Sequence, residues 1–371
     1  MYKTQSVIFI FVSMIIMSIS SCVPAPEDTC EVTNSFDRSG ALKFWADEII
    51  IPAFSSYQEQ LIVMQAKAQS FSEQPSEERL NDLRAAWLDA YKAWQQVSMF
   101  DIGKAEEIGL KNFTNIYPTN TEMIADNIIS ESYNLELPST FASQGFPALD
   151  YLLFGIRSTD EEIVELFADV KYASYIISLT DRLVELNLAV LDDWSQNYRD
   201  VFVENSGSSA TSSFDKLVND FLFYYEKFFR AGKIGLPAGV FTGTEMSHLI
   251  EAPYSGRYSK ELLETAFMAV QDFFNGKNFN RNEEGQCLAD FLQAVQSANG
   301  GEDLSVKINK QWLLANQKIE LLDNNLKTQV ETDNVLMLET FDELQKAVVI
   351  LKVEMLQALC IKVDFVDADG D

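Results

Sequence analysis

The chain contains one histidine, His248, and it precedes Glu251 in the run His248-Leu249-Ile250-Glu251. On a helix that spacing sets an imidazole and a carboxylate on one face. Together they offer a borderline nitrogen donor and a hard oxygen donor, a combination suited to iron or another divalent ion once a further carboxylate joins them. Asp150 is the candidate for that place, so Asp150, His248 and Glu251 form the expected metal set. Pro253 limits any such helix to little beyond Glu251. A lone histidine also excludes the HExxH zinc-protease site, centres built on several histidines, and all but one placement of a Ser-His or Cys-His nucleophile pair. Asp150 paired with Glu251 leaves a carboxylate-dependent hydrolase as the alternative chemistry.

The most distinctive stretch is Gln144-Gly145-Phe146-Pro147-Ala148-Leu149-Asp150-Tyr151-Leu152-Leu153-Phe154-Gly155. Gly145 permits an unusual backbone turn, Pro147 suits a first helical turn where no N–H is needed, and Asp150 complements the helix dipole from the early turns. Arg257 follows Gly256 in an irregular, aromatic-flanked segment. Its guanidinium is expected to hold a carboxylate, either that of a ligand or that of Asp150. The ending Asp367-Ala368-Asp369-Gly370-Asp371 opens like a calcium loop but lacks the remainder and its closing Glu, so it reads as a solvated tail.

Helices must position these groups. Ile50, Phe54, Tyr57, Leu61, Met64, Ala68 and Phe71 form a continuous stripe at helical spacing, with Pro52 marking a start or kink. Leu80, Leu83, Trp87, Ala90, Trp94 and Val97 form a second, and Tyr172 through Trp194 a third. Between Val97 and Tyr172, and again from Gly232 to Ser259, glycines and prolines interrupt the pattern, and such irregular backbone on a helical scaffold is where sites tend to lie. Asn205 to Ser213 is the clearest linker. Helical spacing then resumes, ending in the stripe Met337, Phe341, Leu344, Val348, Leu351, Met355 and Ala358. The expected architecture is all-α: two antiparallel helical-bundle domains, 41–205 and 206–371, packed against each other with an interdomain cleft. The 26 Phe and 13 Tyr fall largely on these stripes and are assigned to the core rather than to a haem or sugar platform.

The 371 residues carry 28 Lys and Arg against 56 Asp and Glu, a net charge of −28, which opposes nucleic-acid binding and polybasic membrane docking. Residues 1–21 read as a secretory signal: Lys3, an apolar run from Val7 to Ile16, then small polar residues before Cys22. Ile19-Ser20-Ser21-Cys22 resembles a bacterial lipobox, which implies cleavage before Cys22 and its acylation, with 22–40 as lipidated cysteine and linker. No later segment is apolar for long enough to span a bilayer. Cys30, Cys287 and Cys360 remain in an oxidising compartment, where a bridge between Cys287 and Cys360 is one conceivable pairing.

At Gln144–Gly155 the sequence resembles the imelysin-like family of bacterial envelope proteins, which is associated with iron uptake and carries a peptidase name. The family hallmark is G-x-H-x-x-E followed by an apolar Tyr-Leu-Leu run and Gly. Gly145, Tyr151 to Leu153 and Gly155 match it, while the motif His is Pro147 and the motif Glu is Asp150. Leu83-Arg84-Ala85-Ala86-Trp87 with Trp94 and Val97, Glu251-Ala252-Pro253-Tyr254-Ser255-Gly256-Arg257, and the Asp-Gly-Asp ending resemble three further family stretches, in order along nearly the whole mature chain. The resemblance implies a two-domain helical protein of the bacterial envelope, periplasmic or on the surface side of the outer membrane, with a functional cleft between domains. Gly145, Pro147, Asp150, His248, Glu251 and Arg257 are then the cleft candidates. Proline at 147 removes a nitrogen ligand outright, so peptidase activity does not follow from the family name. The expected protein is non-enzymatic and anchored through lipid on Cys22. It binds a ligand, or iron or another divalent metal, and works with iron-uptake components rather than nucleic acid. An interaction protein whose metal site has been lost is the other alternative.

Overall fold

The computed structural model describes residues 36–299 and 303–365, and every named element among them is helical, with one isolated antiparallel bridge between Lys277 and Glu284. The expected signal, Cys22 anchor, Cys30 and Asp-rich ending lie outside the described residues.

The apolar stripes decide the packing. Every member of the 50–71 stripe is buried, as is every member of the 80–97 stripe. They sit on helices Ile51–Glu73 and Glu77–Val97, joined by a short turn in which the Ser76 side chain caps the second helix by accepting from the Arg79 N–H. Pro52 follows directly on a π-helical turn at Trp45–Ile50 that leads into the 51–73 helix without a break, and this wider turn is where the continuous helix accommodates a residue that has no N–H to donate. The helix Val170–Asp193 packs on the same 51–73 helix.

A second group comprises Ser213–Phe223 running into the π-helical Tyr224–Gly235, then Ser259–Phe274, Leu304–Leu321 and Asn334–Val349. The 77–97 helix lies against the 259–274 helix and so joins the groups. Among the described residues the contacts form one compact unit, within which the expected 41–205 and 206–371 bundles are not set apart.

Ion pairs cross the boundary at Arg38–Asp215, 3.0 Å, and Lys92–Glu261, 2.6 Å. Trp45, Trp87, Trp194 and Trp312 are fully buried, which places these aromatics in the core as their spacing predicts. Cys287 is a buried free thiol whereas Cys360 is disulfide-bonded, so the conceivable 287–360 bridge is not formed.

Candidate functional site

The glycine-led segment begins with a backbone only glycine adopts readily. Gly145 has φ +73°, and a Cβ there would sit 2.2 Å from the Thr114 carbonyl oxygen. This close approach seats helix Gly145–Asp150 in the core, with Phe146 stacked on Tyr91 at 4.4 Å between ring centroids. Pro147 is buried in the first turns, where it contributes shape and no donor. The helix widens into a π turn at Tyr151–Gly155, and the Leu153 carbonyl is taken by Arg84, whose guanidinium donates to it at 2.7 and 3.0 Å. Arg84 also forks onto Asp160 and lies over the Phe154 ring.

Asp150 is fully buried, and its carboxylate accepts the backbone N–H groups of Tyr254 and Ser255, each at 2.9 Å. The loop can present two amides to one carboxylate because Ala252 and Gly256, on either side, take left-handed conformations. Tyr254 closes over Gly155, where a Cβ would meet its ring at 2.2 Å. Of the two carboxylates expected for Arg257, that of Asp150 is held by main-chain amides instead, and Arg257 is exposed and donates to the Tyr258 hydroxyl.

Burial pushes the Asp150 carboxyl up to about 6 against the two amides that favour its charge. With the folded value above the ordinary 3.8, the folded protein binds more protons than the unfolded chain between those two pH values. The Asp150 contribution to stability is then fully present below about pH 4 and lost as pH rises through about 6. Asp150→Asn removes this dependence, so urea midpoints of the wild type are expected to fall relative to the variant, by roughly 2 to 3 kcal/mol in stability, between those pH values. Parallel pH profiles for the two proteins would refute the assignment.

Glu251, also buried, lies at the head of the same loop. It accepts from Asn115 Nδ2 at 2.7 Å and Gln95 Nε2 at 3.1 Å, and it forms an ion pair with Lys233. Lys233 also donates to Gln95 Oε1 at 2.9 Å, and the Tyr91 hydroxyl donates to Asn115 Oδ1 at 2.6 Å. Burial pulls the Lys233 ammonium down, against the pull of Glu251. Burial, followed by the charge of Glu251, holds the Tyr91 and Tyr117 hydroxyls well above their ordinary value.

This cluster borders a pocket of about 210 Å³. One side is built by Trp94, Gln95 and residues 111–117, the other by residues 224–236 of the π-helical segment. The π geometry is visible in the bond from the Leu236 N–H to the Ala231 carbonyl at 2.8 Å, a turn one residue longer than in an α-helix. Residues from both sides of position 205 supply its walls.

Of the sequence candidates, Gly145, Pro147, Asp150 and Glu251 fall together around the docked loop. His248 does not join them. It is exposed in the short 3₁₀ turn Ser247–Leu249, and Ile250 is extended, so the His-x-x-Glu spacing is not helical and the two side chains part company. Asp150 is committed to two amides and Glu251 to an ammonium and two carboxamides, and Pro147 offers no donor. Among the described residues no group of three His, Cys, Asp or Glu could hold a metal ion, so the donor set does not fit iron. Sequence reasoning missed Lys233, Gln95, Asn115 and Tyr117. The one available signal was Lys233 between Gly232 and Gly235, just after the aromatic-rich run Tyr224–Phe229.

A family model described as Imelysin matches residues 50–350. Among solved structures, an imelysin-like protein from Psychrobacter arcticum 273-4 superposes with a TM-score of 0.71 at 18% identity, covering 90% of this chain and 99% of that one. An iron-regulated protein A precursor from Parabacteroides distasonis ATCC 8503 superposes with a TM-score of 0.69 at 14% identity, covering 86% of this chain and 95% of that one. No curated protein matches.

Proposed function

The chain belongs to the imelysin family, and from that premise we propose that it is a lipid-anchored binding protein of the bacterial envelope. In this reading it is non-enzymatic and holds a small ligand in the 94–236 pocket during a process tied to iron supply. The observation that carries the proposal is the pocket itself, walled by residues 94–117 and 224–236 and floored by the buried Gln95 and Lys233 and the half-buried Asn115, with Glu251 behind them. Such a mostly apolar recess with a few fixed polar groups is the ordinary form of a small-molecule site. A binding role is favoured over hydrolysis because Asp150 and Glu251 are each engaged by donors of the fold and neither carboxylate lines the pocket. The iron connection is supported by the iron-regulated neighbour. The envelope location is supported by the signal-like start and Cys22, and no described helix is long and apolar enough to cross a membrane.

The test is genetic and uses the pocket mouth. Leu236 lines the pocket and is 40% exposed, so Leu236→Trp can block the opening without entering the core. A strain lacking the gene is expected to grow poorly under iron limitation and to be restored by the wild type but not by Leu236→Trp at equal protein abundance. Full restoration by the blocked variant would remove the pocket from the function, and unimpaired growth of the deletion strain would remove iron. Cys22→Ala is expected to move the protein from the membrane to the soluble envelope fraction.

A further inference from the structure

The charge around the pocket runs against that of the chain. Acids outnumber bases 56 to 28, yet the charged residues lining the void are Lys111, Lys227 and Lys233, with no carboxylate among them. Their partners Asp101, Glu226 and Glu251 stand behind the lining.

The hydrogen-bonding inventory leans the same way. Lys233 spends two of its three N–H groups on Gln95 and Glu251. The carboxamide oxygens of Gln95 and Asn115 already accept from Lys233 and Tyr91. The Tyr224 hydroxyl, on a side chain only 3% exposed, lies near Ser98 without a hydrogen-bond partner of proper geometry. The uncommitted polar groups are therefore chiefly donors, and they want an acceptor.

The remaining walls are flat and apolar. Trp94, Tyr117, Tyr224 and Phe228 supply ring surface, and the Lys111 ammonium lies 4.3 Å from the Phe228 centroid, at the junction of ring and charge. At about 210 Å³ the space is smaller than the roughly 300 to 1,000 Å³ of sites for drug-sized molecules, which limits the guest to about one ring and a short substituent.

We propose that this pocket binds a small aromatic carboxylate, its ring between the aromatic walls and its carboxylate received by the Lys233 ammonium and the Tyr224 hydroxyl. The assignment rests on the pocket being the binding site and specifies the class of molecule it takes. An aromatic ring matches the walls, and a carboxylate answers both the excess of donors and the sign of the lining charge.

Calorimetry and ligand-observed NMR on the full mature chain in mild detergent, with benzoate, benzamide, benzylamine and acetate as probes, test it. Benzoate is expected to bind at least about tenfold more tightly than benzamide or acetate and benzylamine not at all. Tyr224→Phe, which removes one hydroxyl, is expected to weaken benzoate about five- to tenfold, and Leu236→Trp to abolish binding. Benzamide or benzylamine binding as well as benzoate, with Leu236→Trp still blocking, would overturn the ligand class and leave the pocket as the site. Benzoate binding unaffected by both substitutions would overturn the placement. Silence from all four probes would overturn this inference, while restored growth of the deletion strain by the wild type and not by Leu236→Trp would separately uphold the pocket.

Discussion

Lys233→Met is expected to destabilise the protein by about 3 to 5 kcal/mol, the cost of stranding a buried carboxylate when its cation is removed. Glu251 is only 2% exposed, and with Lys233 gone it keeps two neutral carboxamide donors and no counter-charge. The double variant Lys233→Met with Glu251→Gln removes both charges, and the carboxamide oxygen introduced by the second substitution can still accept from Gln95 and Asn115, so most of the loss should return. Urea unfolding of the wild type, both single variants and the double variant gives the coupling directly, expected to exceed about 2 kcal/mol. Additive effects of the two substitutions would show that Lys233 and Glu251 do not act as a pair, and the description of the pocket floor would fall with that result.

Gly145→Ala should be more damaging still, costing upward of about 4 kcal/mol or preventing folding, because two penalties coincide. Its φ of +73° disfavours any Cβ, and the space a Cβ would need is held at 2.2 Å by the Thr114 carbonyl oxygen, a backbone atom that cannot swing aside. Two other glycines calibrate the effect. At Gly155 the obstruction is the ring of Tyr254, a 39% exposed side chain able to move, so Gly155→Ala should cost only about 1 to 2 kcal/mol. At Gly207 nothing lies within 4 Å, and Gly207→Ala should stay within about 0.5 kcal/mol of the wild type. Thermal and urea unfolding of the three variants would check the ranking. A mild Gly145→Ala would mean the 145–150 helix does not approach Thr114 as described.

The helices were readable because a buried stripe writes itself into the sequence at the helical period. Every residue from Ile50 to Phe71 named for its spacing is indeed buried. The strained start at Gly145 was readable for a similar reason, since Gly-x-Pro carries its backbone demands locally. What Asp150 holds was not. Its partners are the main-chain amides of Tyr254 and Ser255, which carry no side-chain signature, and of the two carboxylates expected for Arg257 that of Asp150 is held by these amides instead. His248 misled for a local reason, since His-x-x-Glu says something only on a helix, and here a 3₁₀ turn precedes an extended Ile250. Lys233 and Gln95 stayed hidden because a polar cluster assembled from distant segments has no period. Each member reads alone as an ordinary surface residue, and only tertiary packing buries them together.

The pocket lies on the seam between residues 94–117 and 224–236. A guest lodged there is mortar as well as cargo. Its affinity and the adhesion of the two courses it touches are one thermodynamic quantity seen from two sides, so whatever strengthens one strengthens the other. Were the protein tethered by one end, as proposed through Cys22, this would couple the chemical state of the surroundings to the cohesion of the folded body. A component that gripped the two flanks could sense occupancy as resistance to being pried apart, with no large rearrangement required.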